Sequence, residues 1–180
     1  MRARRIALAA AVVPALAVAA WTVSGPDRAR WWSAEPHVAV APDVEGWARI
    51  DGTAVRVAAL DPVEQLVDDY SGEPWRPPAG YDLWRVDLDV RSDLTEARYC
   101  EVRLLDGEGR VFTAPDRVPD LPGAAPSSVP CGAAEEGETP HYETWFLLPE
   151  GSAPARLDVW TTRTDELGLG PDFFALPLHP

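Results

Sequence analysis

Side chains able to do chemistry are sparse in this sequence and do not cluster along it. The three histidines, His37, His141 and His179, stand far apart. With no His-x-x-x-His and no closely paired cysteines, neither zinc nor any other cofactor is expected. Asp87-x-Asp89 followed by Asp93 and Glu96 is acidic enough to suggest calcium. Ser92, however, stands where an EF-hand needs glycine, and the first two carboxylates fall on a strand, so a solvated sheet face is the expectation. No serine lies in a nucleophile elbow or another recognisable hydrolase setting. A small hydrolase with a carboxylate pair stays open as a reading, although among 29 acidic residues some pair at a suitable separation arises by chance. Trp75, between Pro74 and Arg76, and the Trp31-Trp32 pair could act as stacking platforms for a glycan, with packing as the alternative use of each ring. Cys100 and Cys131 are wrongly spaced for a redox or zinc site, so their role depends on the compartment.

The N-terminus speaks to that compartment. Met1-Arg2-Ala3-Arg4-Arg5 is a positive segment, and Ile6 to Val23 follows as 18 residues without charge. As a helix this run reaches ~27 Å, just short of the ~30 Å hydrocarbon core of a bilayer. Ala17-Val18-Ala19 would suit signal peptidase, whereas Trp21 and Trp31-Trp32 are placed as interfacial aromatics are at the outer end of a spanning helix. Residues 1–24 are therefore read as a membrane anchor or signal peptide, with residues 6–23 meeting the membrane. The expected location is the cell membrane, single-pass with the C-terminal domain extracytoplasmic, or secreted after signal cleavage. In an oxidising compartment Cys100 and Cys131 are expected to pair, with two separately buried thiols as the alternative. A bond closing the 30 residues between them would contribute ~3 to 4 kcal/mol in the chain-entropy account. Beyond Ser24 the chain has 13 arginines against 29 acidic residues, a formal charge of −16. That excess repels phosphate backbones, so nucleic acid is not an expected partner.

The elements that would position any site are strands. Trp84, Val86, Leu88 and Val90 alternate with Arg85, Asp87, Asp89 and Arg91, which reads as a half-buried strand with four apolar groups inward and four charges in water. Residues 25–44 mix Pro, Arg, Trp and Ala without periodicity and read as a linker, leaving 45–180 as one domain. Asp51-Gly52 between two apolar runs signals a type I′ hairpin. Asp61, Pro62 and Glu64 then suit a helix start, with Val63, Leu66, Val67 and Tyr70 on one face. Tyr99 to Leu105 alternates with Cys100, Val102 and Leu104 inward, and Asp106-Gly107-Glu108-Gly109 turns the chain into Arg110 to Thr113. The Pro- and Gly-rich stretch from Ala114 to Pro140 is too long for an ordinary connection unless it is tied down, as a bond from Cys131 would do. Tyr142, Thr144, Phe146 and Leu148 share one strand face and Trp145 and Leu147 the other. Leu157, Val159 and Thr161 lie opposite Trp160, and Phe173 to Leu178 reads as a last, edge strand because of Pro177.

About eight such strands fit an all-β, immunoglobulin-like antiparallel β-sandwich, preceded by a single N-terminal apolar helix. From about Glu45 to Leu178 the chain resembles the telokin-like, immunoglobulin-like extracytoplasmic domains of unknown function of bacterial surface proteins. The resemblance rests on Pro77-Pro78-Ala79-Gly80-Tyr81 leading into Trp84-x-Val86-x-Leu88-x-Val90, on Leu105-Asp106-x-x-Gly109-x-Val111-Phe112, and on Trp145-Phe146-Leu147-Leu148-Pro149. Arg91-Ser92-Asp93 departs from the Asn common there, and the lipobox is missing. What the resemblance implies is an envelope-exposed sandwich that binds or scaffolds; with no reactive constellation among the residues, the expectation is a module for an envelope protein or glycan and not an enzyme.

Overall fold

A computed structural model describes residues 36–67, 72–113, 128–132, 139–161 and 171–179. The apolar run 6–23, the anchor boundary at residue 24 and Trp31-Trp32 lie outside these residues. Twelve strands occur among the described residues and no helix: β1 (Val38–Val40), β2 (Ala48–Ile50), β3 (Thr53–Val63), β4 (Leu66–Val67), β5 (Pro74–Trp75), β6 (Tyr81–Ser92), β7 (Tyr99–Asp106), β8 (Val111–Thr113), β9 (Ser128–Pro130), β10 (His141–Pro149), β11 (Pro154–Thr161) and β12 (Asp172–Pro177). One sheet runs β1-β12-β11-β7-β8 with β9 also on β7, and the other runs β10-β6-β3-β2. Their inner faces meet in a single core that includes Val55, Val86, Leu88, Leu104, Phe146, Leu157 and Phe174. The alternation in β6, β7, β10 and β11 therefore reads correctly on the inner side.

Local chemistry explains the turns. Asp51 and Gly52 both have positive φ, 46° and 79°, as a two-residue I′ connection between β2 and β3 requires. Asp106 organises the next hairpin by itself. Its Oδ1 accepts the amides of Glu108 and Arg110 at 2.9 Å each, and its Oδ2 accepts Arg110 Nε at 2.6 Å.

The helix expected after Asp61 does not form. β6 is long enough to offer pairing groups as far as Leu83, so β3 continues through Pro62 and Val63 to meet Trp84 and Leu83. Asp61 binds Arg85 and caps nothing, and Leu66-Val67 turns back as β4 to pair with Trp75 and Pro74. A helical spacing carried by only three described apolar residues is met equally well by a strand, a turn and a strand.

The sandwich also begins before residue 45. Val38 to Val40, inside the expected linker, pairs in parallel with Asp172 to Phe174. Hence β12 is not the bare edge it was expected to be. Its Ala175 to Pro177 part pairs only with β11 among the described residues, which is where Pro177 is tolerated.

Cys100 and Cys131 form a disulfide with Cα atoms 5.7 Å apart, both side chains buried in the core. Around it, β9 pairs with the start of β7, the Cys131 amide donates to Arg98 O at 2.9 Å, and Thr53 Oγ1 of the opposite sheet donates to Cys131 O at 3.0 Å. Gly132 is pressed so closely here that a Cβ would lie 2.3 Å from Arg98 N and 2.4 Å from Glu96 O.

Two outcomes follow for stability. Replacing both cysteines by alanine should lower unfolding free energy by ~3 to 4 kcal/mol in denaturant titrations, and Gly132→Ala, which forces backbone apart, should lower it by ~1 to 3 kcal/mol. For Asp106, burial opposes the charge, but hydrogen bonds from the Arg110 side chain and from the amides of Arg110 and Glu108 outweigh it and hold the carboxyl below its ordinary value of 3.8. The stabilisation from a lowered carboxyl is complete above its unfolded pKa and is lost as pH falls through the folded one. Acid titration of Asp106→Asn should therefore show a less stable protein at neutral pH and a shallower loss of stability below pH 3.8 than the unaltered chain.

Candidate functional site

Strand register assembles on the outer face of the β3-β6-β10 sheet what the sequence scatters. Opposite residues of antiparallel strands share a face. His141 lies across from Asp89, Glu143 from Asp87, Trp145 from Arg85 and Leu147 from Leu83. On the other side of β6, Arg56 faces Asp89, Ala59 faces Asp87, Asp61 faces Arg85 and Val63 faces Leu83. The register slips between Val57 and Ala59, a bulge that keeps Val57 and Leu60 both inward although they are three residues apart.

This face is divided. Its upper half is apolar: Leu83 and Trp145 are buried with Val63, Leu66, Leu147 and Trp75 packed on them, so the β4-β5 ribbon covers a second small core. Trp75 is half-buried in this cover, flanked in sequence by Arg76, whose Nη2 donates to Gln65 Oε1 at 3.4 Å.

The lower half is a connected lattice of charges. Arg91 and Arg56 stack on the Trp47 ring with guanidinium carbons 4.2 and 4.7 Å from its centroid. Arg91 Nε donates to Thr139 Oγ1 at 3.1 Å, while Arg56 Nη2 donates to Asp89 Oδ2. Asp89 Oδ1 is 3.1 Å from His141 Nδ1, and His141 Nε2 is 3.7 Å from Asp87 Oδ2. Arg85 closes the row, with Nε 3.2 Å from Asp87 Oδ1 and Nη2 2.8 Å from Asp61 Oδ2.

Two carboxylates of one strand thus differ sharply. Asp87 is 7 % exposed, and its buried Oδ1 makes no hydrogen bond. Burial pushes its carboxyl up, Arg85 only partly offsets this, and Glu143 adds to it. For Asp89, burial also acts upward, but the hydrogen bonds from Arg56 and His141 outweigh it and hold the carboxyl low. The expectation that all four charges of this strand stand in water fails at Asp87, because Arg85, His141 and the sheet itself cover it.

Of the residues singled out in the sequence, Asp87, Asp89 and His141 come together here. Asp93 and Glu96 lie beyond the end of β6, and His37 and His179 are elsewhere. Cys100 and Cys131 are in the core as the staple. Glu143, Arg56 and Trp47 were not recognised. Alternation marks which face Glu143 occupies, but only register reveals its partner.

Because Trp75 covers Leu83 and Trp145, Trp75→Ala should lower unfolding free energy by ~1 to 3 kcal/mol, less than for a fully buried aromatic ring. Unchanged stability in denaturant would mean that the ring is free of the fold.

No protein-family model matches the sequence, and no curated protein matches it. Two solved structures are similar in shape. An uncharacterized β-sandwich protein from Clostridium difficile 630 is 7% identical, with a TM-score of 0.42 over 81% of this chain and 97% of the other. A conserved hypothetical protein from Bacillus anthracis is 10% identical, with a TM-score of 0.44 over 77% of this chain and 95% of the other.

Proposed function

We propose that the chain is a membrane-tethered extracytoplasmic module that binds or scaffolds an envelope protein and does no chemistry of its own. The observation that carries this reading is the lattice on the outer face of the β3-β6-β10 sheet, where charges of both signs are fixed on rigid strands. Side chains already immobilised lose little freedom when a partner arrives, so such a face binds at lower entropic cost than a mobile one. The buried Cys100–Cys131 bond supports the exported placement, since such staples persist in oxidising compartments.

The finer fold reading belongs to the same proposal. Consecutive β6 and β7 lie in different sheets, as do β10 and β11, while β6 neighbours β10 and β7 neighbours β11. Immunoglobulin-like sandwiches interlock their B-C and E-F pairs in this way. The disulfide joins β7 to the segment after β9, unlike the B–F bond of antibody domains.

A second reading, a cell-wall glycan binder, draws on the half-exposed Trp75 beside Gln65 and Arg76. One experiment addresses both. The full-length chain, exported in a bacterial host, should be digested by protease added outside the cell and should contain no free thiol. Immobilised, it should retain a defined envelope protein, and Glu143→Lys on the lattice face should reduce retention at least tenfold while Glu101→Lys on the other sheet does not. Retention of wall polysaccharide that Trp75→Ala abolishes would replace the first reading with the second. Protection from external protease would overturn both.

A further inference from the structure

We propose that Asp87, His141 and Glu143 form a binding site for a divalent cation of the zinc type. One donor atom from each lies within 4.8 Å of the others. Bonds of ~2.0 to 2.2 Å to nitrogen and oxygen place tetrahedral ligands ~3.3 to 3.6 Å apart. His141 Nε2 and Asp87 Oδ2, at 3.7 Å, are close to that spacing already, and Glu143, exposed at the surface, has a carboxylate oxygen within 4.8 Å of a donor atom of each.

Three features favour a cation over a mere solvated acidic patch. Asp87 is buried, with its Oδ1 against Arg85 Nε at 3.2 Å without a hydrogen bond and its Oδ2 turned toward His141 Nε2 at 3.7 Å. Such a group is costly to bury unless something compensates it. His141 is also oriented as a ligand would be. Its Nδ1 lies 3.1 Å from Asp89 Oδ1, Arg56 holds Asp89 in turn, and Nε2 is left facing Asp87 Oδ2 at 3.7 Å. A carboxylate behind the far nitrogen of a ligating histidine is the usual supporting arrangement in metal sites. Finally, among the described residues the carboxylates of Asp61, Asp87, Asp89 and Glu143 are set against the guanidinium groups of Arg56 and Arg85 beside His141, an excess of two carboxylates over guanidinium groups that one divalent cation cancels.

The donor set selects among metals. One imidazole and two carboxylates suit zinc, whereas calcium takes six to eight oxygens and magnesium keeps a near-octahedral shell of oxygens and water. The site shares the outer face of the β3-β6-β10 sheet, and Glu143, with the protein-binding surface proposed above, but metal binding by the purified chain is read without any partner, so either proposal can fail without the other.

The test uses the full-length chain in detergent, stripped with a chelator and titrated with Zn²⁺, Ca²⁺ or Mg²⁺ by calorimetry, with Co²⁺ absorption as a second readout. One equivalent of Zn²⁺ should bind, and Co²⁺ should give the intense visible bands of a low-coordinate site. His141→Gln and Glu143→Gln, both at exposed positions and expected to fold, should each weaken Zn²⁺ at least tenfold, as should Asp87→Asn, while His179→Gln leaves it unchanged. Asp89→Asn should weaken it ~10- to 100-fold through loss of the support behind His141. No Zn²⁺ binding, equal binding in His141→Gln and Glu143→Gln, or Ca²⁺ binding as tightly as Zn²⁺ would overturn the proposal.

Discussion

A strand with neighbours on both edges has two faces to cover and no freedom to turn either away, and β6 imposes that constraint on everything around it. β3 and β10 flank it along most of its length. Its inner face is covered in the ordinary way, with Val86, Leu88 and Val90 against the second sheet. On its outer face the β4-β5 ribbon folds over Leu83 and Trp145, and farther along, where no ribbon reaches, side chains cover one another through ion pairs. The failure of the expected helix follows from this, because a β3 that stopped at Asp61 would leave the first residues of β6 without a ladder partner on that side.

The opposite sheet uses a related device. Asp158 is fully buried on the outer face of β11, held by Arg103 Nε at 3.1 Å and by Arg156 Nε at 2.7 Å, while those arginines stack on Trp160 and Phe173. With no lysine in the chain, every side-chain cation other than histidine is a guanidinium. Guanidinium is planar, forks onto carboxylates and lies flat on aromatic rings, so it can pair and pack at once. A buried ion pair adds little net stability compared with apolar packing, but removing one partner strands the other. These pairs therefore act mainly to fix geometry, which matters where His141 must be aimed.

Much of the fold was legible because strand alternation and turn chemistry are local. Asp51-Gly52, the inward set Cys100, Val102 and Leu104, and the two faces of β10 could each be read within a few residues. What escaped was set by distance or by partners. Val38 to Val40 has no alternation of its own and becomes a strand only because β12 offers an edge. The bulge at Ala58 is visible, in retrospect, as the step from Val57 to Leu60. Asp87 looked solvated because sequence shows which face a residue takes but not whether that face is covered. The candidate site was the least legible, since Asp87 and Glu143 meet through a register that depends on where a long connection lands.

That landing is itself controlled. Cys131 is bonded to β7 through sulfur and to Thr53 of the other sheet through its carbonyl, and Gly132 lies against Arg98 with no room for a side chain. At Thr139 and Pro140, Arg91 Nε reaches the Thr139 hydroxyl and the Val90 amide donates to Pro140 O at 3.0 Å, starting the β6-β10 ladder. A slip of one residue at this point would turn His141 and Glu143 inward and Tyr142 and Thr144 outward. The inner set Thr144, Phe146 and Leu148 forbids that slip, because it would move three fully buried side chains out of the core. The same packing that closes the sandwich thus keeps His141 opposite Asp89 and Glu143 opposite Asp87, so the polar cluster inherits its precision from the apolar face beneath it.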